Sequence, residues 1–361
     1  MLKETYEIPA LPPNADFETV NVLKAMNTAS RYLAEVKGEA RAIPNQGILI
    51  DTLALQEAKD SSEIENIVTT NDELFRSGTE RESQLRGAAK EVAVYRDALA
   101  LGYSSMLQDN LITNRALIEM FRILKNRSDG FRTLPGTALE GRAGEIVYVP
   151  PQDSVDVIRH MTALEQYIND ETGGLDPLIK MAIIHHQFES IHPFPDGNGR
   201  IGRMLNVLYL TKAGLLGVPI LYMSRGINAS KSDYYRLLQA VRDENAWEDW
   251  VVYMLNVVAR TSLLTLSLVR GIRQQMAEIK SALRNDHARI YSQDLINNLF
   301  KHPYTRIEYV MTELSVSRPT AASHLEKLAA DPDLPIVKLV EGRNNYYVNT
   351  ALVDLLSDTT L

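Results

Sequence analysis

Three observations predict a mainly α-helical fold with one β-hairpin flap and a small C-terminal helix–turn–helix–hairpin unit. Apolar residues recur at helical spacing through most of the 361 residues. Residues 131–151 break that pattern. There Gly136, Gly141 and Gly144 precede or flank the apolar run Ile146-Val147-Tyr148-Val149, and Pro150-Pro151 stops it. From Ala288 on, three short helical runs lead into an alternating stretch with a turn at Glu341-Gly342-Arg343-Asn344-Asn345.

Taken in order, Pro9, Pro12 and Pro13 give an extended lead-in, and helical patterns follow at 17–34 and 48–58. A long charged helix, or a pair, spans about 71–101, with Leu74, Leu85, Ala88, Val92 and Tyr95 as its apolar face. After the flap, Asp153 and Ser154 cap a helix over 153–168, and a second covers 175–188. A strongly apolar helix over 201–215 ends near Gly217, and further helices cover 230–242 and 246–274. The polar stretch 280–287 reads as a domain boundary. Beyond it, helices are expected at 305–313 and 317–330, the latter capped by Ser317 with Pro319 in its first turn, and then a hairpin over 336–348.

The composition, 45% hydrophobic and 23% charged, excludes a mainly disordered chain. A net charge of -8 argues against broad coating of nucleic acid. The absence of cysteine excludes thiol catalysis, zinc–thiolate sites and disulfides, and fits a reducing cytoplasm. The opening residues lack the apolar core of a signal peptide. The most apolar stretch, 250–268, is interrupted by Asn256 and Arg260 and reads as buried helix, so a cytoplasmic protein away from membranes is expected.

The chemistry concentrates in His192-Pro193-Phe194-Pro195-Asp196-Gly197-Asn198-Gly199-Arg200-Ile201-Gly202-Arg203. Pro193 and Pro195 end the preceding helix, so His192 stands just past a buried element. Gly197, Asn198 and Gly199 tolerate positive φ, and their N–H groups can turn inward as an anion nest at the positive end of the next helix. Arg200 and Arg203 are neighbours in its first turn, costly to bury unless something negative answers them. Asp196 beside a phosphate site suits Mg²⁺, which takes few carboxylates plus phosphate oxygens. His192, with an ordinary pKa of about 6.5, can accept a proton near neutrality. A base, a metal carboxylate, an anion nest and two arginines together describe phosphoryl or nucleotidyl transfer. A metal site from His185, His186 and His192 is the lesser alternative, because adjacent histidines point to different helix faces.

The segment resembles the Fic (filamentation induced by cAMP) signature, His-x-Phe-x-(Asp/Glu)-Gly-Asn-Gly-Arg-x-x-Arg, at every fixed position. The likeness extends to Ile183 through Ile191, to Glu145 through Pro151 and to Tyr234 through Gln239, and covers about residues 15–275. It implies a Fic-type helical domain with a β-hairpin flap and transfer of AMP from ATP to a Ser, Thr or Tyr hydroxyl of a target protein, with self-modification included. His192 would be the base, Asp196 would hold Mg²⁺ or Mn²⁺, and Gly197, Asn198, Gly199 and Arg200 would cradle phosphates. Ile201 and Gly202 would continue the nucleotide site, and Arg203 would grip the γ-phosphate. The flap residues Glu145, Ile146, Val147 and Tyr148 would align the target and cover the nucleotide, with Tyr234 and Tyr235 near the adenosine. Where the family often carries asparagine beyond the tyrosine pair, Arg242 stands here, with Asn245 nearby. A kinase branch of the superfamily carries lysine in place of Gly199, so Gly199 favours AMP transfer.

Upstream, Ser61, Glu65 and Asn66 match the family's inhibitory motif, (Ser/Thr)-x-x-x-Glu-(Gly/Asn). On a helix Ser61 and Glu65 face the same way, so Glu65 can pair with Arg203 and take the place of the γ-phosphate. Ser62-Glu63-Ile64-Glu65 also reads as a capping box, and Glu65 could alternatively help a water remove AMP. The C-terminal pattern resembles a winged helix-turn-helix domain, with Arg318, Thr320, Ser323, His324 and Lys327 on its second helix and Lys338 and Arg343 on the wing. DNA binding and a protein-interaction or homodimer module are the two readings of it. A nucleotide-sensing DNA-binding regulator is therefore the rival to an enzyme. The resulting domains are 1–110 with the inhibitory motif, 111–275 as the catalytic core and 285–361 as the winged-helix-like unit.

Overall fold

The fold is built around two helices with no solvent-facing stripe, whose polar and charged residues are buried along with their apolar ones. In the computed structural model, which describes residues 6–65, 70, 87–141, 144–221, 223–341 and 344–358, these are α6 (Pro177–Ile191) and α7 (Asn198–Lys212). Every residue of α6 after Pro177 is buried, and so is all of α7 except Gly199 and Lys212. They pack on each other, and the six residues between them are the signature loop.

The remaining helices wrap this pair. They are α1 (Val20–Ala40), α2 (Gly47–Ile64), α3 (Gly87–Asp109), α4 (Asn114–Lys125), α5 (Ser154–Asn169), α8 (Met223–Asn228), α9 (Lys231–Glu244) and α10 (Trp247–Asp286). α1 lies along α10, α3 packs on α4 and α7, and α2 is held between α3 and α8. Asp153 caps α5 as the sequence implies, accepting from the Val155 N–H, and Asp176 likewise accepts from Leu178 at the head of α6. The flap is the antiparallel pair β1 (Leu139–Glu140) and β2 (Ile146–Tyr148), with a register irregularity between Leu139 and Glu140.

After α10 come α11 (Gln293–Lys301), β3 (Tyr304–Thr305), α12 (Ile307–Leu314), α13 (Arg318–Ala330), β4 (Ile336–Glu341), β5 (Asn344–Asn349) and α14 (Thr350–Ser357). The hairpin β4–β5 is extended by β3 into an antiparallel sheet of order β3-β5-β4. Ser317 caps α13 as expected, accepting from the Thr320 N–H. This module also touches the first part of the chain. α11 packs on α2, and the buried Gln56 side chain of α2 donates to the Leu356 carbonyl of α14 at 2.8 Å.

Several boundaries differ from the sequence reading. α10 runs unbroken through 280–287 to Asp286, because Ile279 and Leu283 keep a buried stripe and Lys280 and Arg284 are good helix formers. The apolar helix after the signature stops at Lys212, where Gly214 takes φ 72°, short of Gly217. Thr305 lies in a strand, and α4, α8, β3 and α14 are additional elements. Leu74, Leu85, Asn66 and Arg343 lie outside the described residues, as do the side chains of Ala88 and Val92, while Tyr95 is buried. α10 is long and apolar enough to cross a membrane by length and composition, and 61% of its most apolar window is buried inside the protein.

Candidate active site

Glycine and histidine in left-handed conformations shape the loop between α6 and α7. His192 closes α6 with φ 49°, a conformation costly for a residue with a Cβ, and Gly197 opens α7 with φ 73°. No side chain caps α7 at Gly197. The first-turn N–H groups therefore face the loop without the usual internal acceptor, which leaves a positive helix end. Asn198, predicted to face a phosphate, instead uses its buried side chain to close the loop on itself. Its Nδ2 donates to the Phe194 carbonyl and its Oδ1 accepts the Phe194 N–H, each at 2.8 Å.

His192 Nδ1 is buried and has no partner among the described residues. Burial, with the Arg132 and Arg242 guanidinium groups nearby, pushes the imidazole down to about 4. The ring is therefore neutral at pH 7 and free to accept a proton. Asp196 is half exposed and pairs with Lys125 Nζ at 2.5 Å. Its partial burial favours the neutral acid, but Lys125, the Gly197 N–H and Arg200 outweigh that and hold the carboxyl below its ordinary value. An ionised, accessible carboxylate at the phosphate end suits a cation that would draw its other ligands from phosphate and water. Among the described residues no cluster of three or more acidic or histidine side chains forms.

Arg200 and Arg203 are both almost fully buried, and one carboxylate answers both. Glu65 Oε2 lies 2.8 Å from Arg200 Nε, and Glu65 Oε1 lies 3.1 Å from Arg203 Nη2. Arg203 also donates from Nε to Ser61 Oγ and from Nη2 to the Ser61 carbonyl, each at 2.8 Å. Burial disfavours the Arg203 charge, but Glu65, Tyr234, Tyr95 and Glu189 more than offset it. The sequence pairs Glu65 with Arg203 alone; the ion pair with Arg200, and the pairing of Arg200 Nη1 with Glu91 at 2.7 Å, are additions. Ser62 lies inside α2 and Glu65 stands at its C-cap, so the capping-box reading, which needs Ser62 at a helix start, is wrong.

The glycines have packing reasons. A Cβ on Gly199 would sit 2.8 Å from Arg203 Nη1 and 3.1 Å from Glu65 Oε1, so a side chain there would displace that pairing. Gly202 faces α6, where a Cβ would meet the buried Glu189 Oε1 at 2.6 Å and Phe188 Cδ1 at 3.1 Å. Gly202 is therefore a close-approach glycine between helices. Gly202→Ala is expected to cost about 1–3 kcal/mol of stability by overpacking; an unchanged urea midpoint would show that the α6–α7 contact tolerates the methyl.

The aromatic residues divide. Tyr234 is buried and its hydroxyl lies 2.9 Å from His185 Nε2, which removes both side chains from any open pocket. His186 contacts the Leu238 carbonyl at 3.2 Å, so neither adjacent histidine joins His192 in a metal set. Tyr235 is 48% exposed and is the one of the pair that a ligand can reach. In the flap, Ile146 and Val147 face outward, while Tyr148 turns in and donates to the Ser190 carbonyl at 2.8 Å. The Arg242 guanidinium stacks 3.8 Å from the Tyr148 ring centroid and donates from Nε to Ser190 Oγ at 3.1 Å. Asn245 caps α9 with φ 57°. Arg242 thus braces the flap against α6, which its spacing alone did not reveal.

The basic residues of the C-terminal module are largely answered from within. Arg318 pairs with Glu308 at 2.7 Å, and Lys338 pairs with Glu326.

Comparison with known proteins follows the same segments. The Fic/DOC family N-terminal model matches residues 23–104, and the Fic/DOC family model matches 111–210. The model described as protein adenylyltransferase SoFic-like, C-terminal domain, matches 275–352. A probable protein adenylyltransferase of Aquifex aeolicus is 32% identical over 190 residues, 50% of this chain and 55% of that protein. The protein adenylyltransferase Fic of Drosophila mojavensis is 28% identical over 184 residues, 49% of this chain and 34% of that protein. The chain thus spans about half or less of the length of these relatives. Among solved structures, a Fic family protein from Desulfovibrio desulfuricans superposes with a TM-score of 0.59 at 20% identity, covering 91% of this chain and 96% of that one. A Fic domain containing signalling protein from Bacteroides thetaiotaomicron gives 0.54 at 19% identity, covering 68% and 97%.

Proposed function

Because the chain belongs to the Fic/DOC family, we propose that it is a protein adenylyltransferase that moves AMP from ATP to a hydroxyl of a target protein and is held off by Glu65. The observation that carries this reading is the pair of buried guanidinium groups beside the uncapped start of α7, bridged by the Glu65 carboxylate. Two buried arginines at a positive helix end call for a polyanion, and a polyphosphate supplies bidentate acceptors. Glu65 occupies that place, so productive ATP binding requires it to leave.

In the reaction, the hydroxyl oxygen of the target attacks the α-phosphorus, its proton passes to the neutral His192 ring, and the bond to the pyrophosphate oxygen breaks. Arg200 and Arg203 hold the charge that gathers on the departing phosphates, and the first-turn N–H groups of α7 face the phosphate chain. Asp196 would hold a divalent cation, which when bound neutralises phosphate charge. The outward Ile146 and Val147 offer a strand edge against which a target segment can pair. The internal pairing of Arg318 and Lys338 favours a protein-interaction role for the C-terminal module over DNA binding.

The test uses the Glu65→Gly protein with a cell lysate and ATP labelled on either the α- or the γ-phosphate, followed by mass spectrometry. Label from the α-position, with an AMP adduct on a hydroxyl side chain, is the expected result. Label from the γ-position alone would reassign the site to phosphoryl transfer.

A further inference from the structure

Arg132 is 5% exposed and lies just before the flap. It carries its charge into the protein without a carboxylate partner among the described residues, and Tyr148 is the one group whose charge would favour it. Its acceptors are main-chain carbonyls. The Nε donates to the His192 carbonyl at 2.9 Å, and Nη2 donates to the Ile191 carbonyl at 3.3 Å and to the Pro151 carbonyl. Its own N–H donates to the Pro193 carbonyl at 2.8 Å. One residue therefore collects the carbonyls of 191, 192 and 193, the three that flank the left-handed turn at His192, and joins them to the strand-exit proline of the flap.

We infer that Arg132 is a positioning residue that locks the strained His192 turn and couples it to the base of the β1–β2 hairpin. The catalytic half of this inference rests on His192 being the base. A left-handed non-glycine residue persists only when its surroundings over-determine it. A guanidinium fits the task because it forks to several carbonyls at once and complements the negative end of α6. Flap and base then move as one unit, so a target segment that engages the flap meets the imidazole in fixed register.

Two measurements on the full-length protein test this. In the first, hydrogen exchange without nucleotide compares the parent with Arg132→Ala. Peptides covering 188–196 and 144–152 are expected to exchange about tenfold faster together, with α10 unaffected. Unchanged exchange in either segment overturns the coupling. In the second, AMP transfer is measured in the Glu65→Gly background. Arg132→Ala is expected to lower kcat about tenfold or more with the KM for ATP within twofold, and Arg132→Lys to recover part of the loss by donating to the same carbonyls. A kcat within twofold of the parent, or a KM rising in step with the loss, overturns the positioning role. If Arg132→Ala does not fold, Arg132→Lys and Arg132→Gln are read on the same two scales. A Glu65→Gly parent that transfers no AMP defeats the functional reading, and the exchange result still decides the clamp.

Discussion

Glu65→Gly is expected to raise AMP incorporation about thirtyfold at subsaturating ATP. The carboxylate spans Arg200 and Arg203 at 2.8 and 3.1 Å and is 24% exposed, so its pairing lies between a surface salt bridge and a buried one. Taking the pairing as about 2 kcal/mol, roughly 3% of molecules present a free Arg203, and apparent ATP affinity is reduced by that fraction. Removing the carboxylate restores it. The variant should still fold, because Arg203 keeps both Ser61 bonds and Arg200 keeps Glu91. It should melt below the parent, since two buried cations lose an acceptor, and ATP should stabilise it more than the parent. Incorporation of α-labelled ATP and melting with and without ATP check both halves. Unchanged incorporation in a cooperatively melting variant, or equal ATP-induced shifts in the two proteins, would remove Glu65 from the role of brake.

The reach of the sequence is clearest at this contact. Ser61 and Glu65 are four apart, so their common face was legible from helical geometry once Arg203 was known to need an anion. The share of Arg200 was not legible, because it depends on where α2 ends relative to the start of α7. Glu91 was out of reach for the same reason. Its distance of 109 residues from Arg200 is closed only by packing of α3 on α7. Likewise the signature foretold the loop and its left-handed glycine, but not that the Asn198 amide is consumed in closing it. Periodicity found most of the helices, missed α4, α8 and α14, and failed at several ends. The stretch 280–287 looked like a linker by polarity, yet buried residues four apart carry α10 through it. Tyr234 and Tyr235 show the same limit at a single pair: adjacent residues of one type on a helix face different ways, and only the fold says which one meets His185.

His192→Ala is expected to lower kcat about 10²–10⁴-fold, the range for loss of a general base, with ATP binding changed by no more than about twofold. The pH profile separates this role from mere support of the loop. A base acts in its deprotonated form, so activity is lost as pH falls through its pKa. Burial and the cations Arg132 and Arg242 push His192 down to about 4. In the Glu65→Gly protein, kcat/KM should therefore hold from pH 7 to about 5 and fall only near 4, whereas an ordinary imidazole would titrate at about 6.5. Among the described residues, three other carboxyls near the site titrate within that window, and burial pushes two of them, Glu57 and Asp60, up to about 7 and about 6. Burial pushes the Glu189 carboxyl up to about 7, and it lies beside Gly202 between the two signature helices. Glu57→Gln, Asp60→Asn and Glu189→Gln assign any inflection near neutrality: one that disappears in a variant belongs to that carboxyl, and one that persists in all three shows His192 titrating near its ordinary value. In that event His192 would still be mostly deprotonated above pH 7 and would remain the base, with activity lost as pH falls through about 6.5.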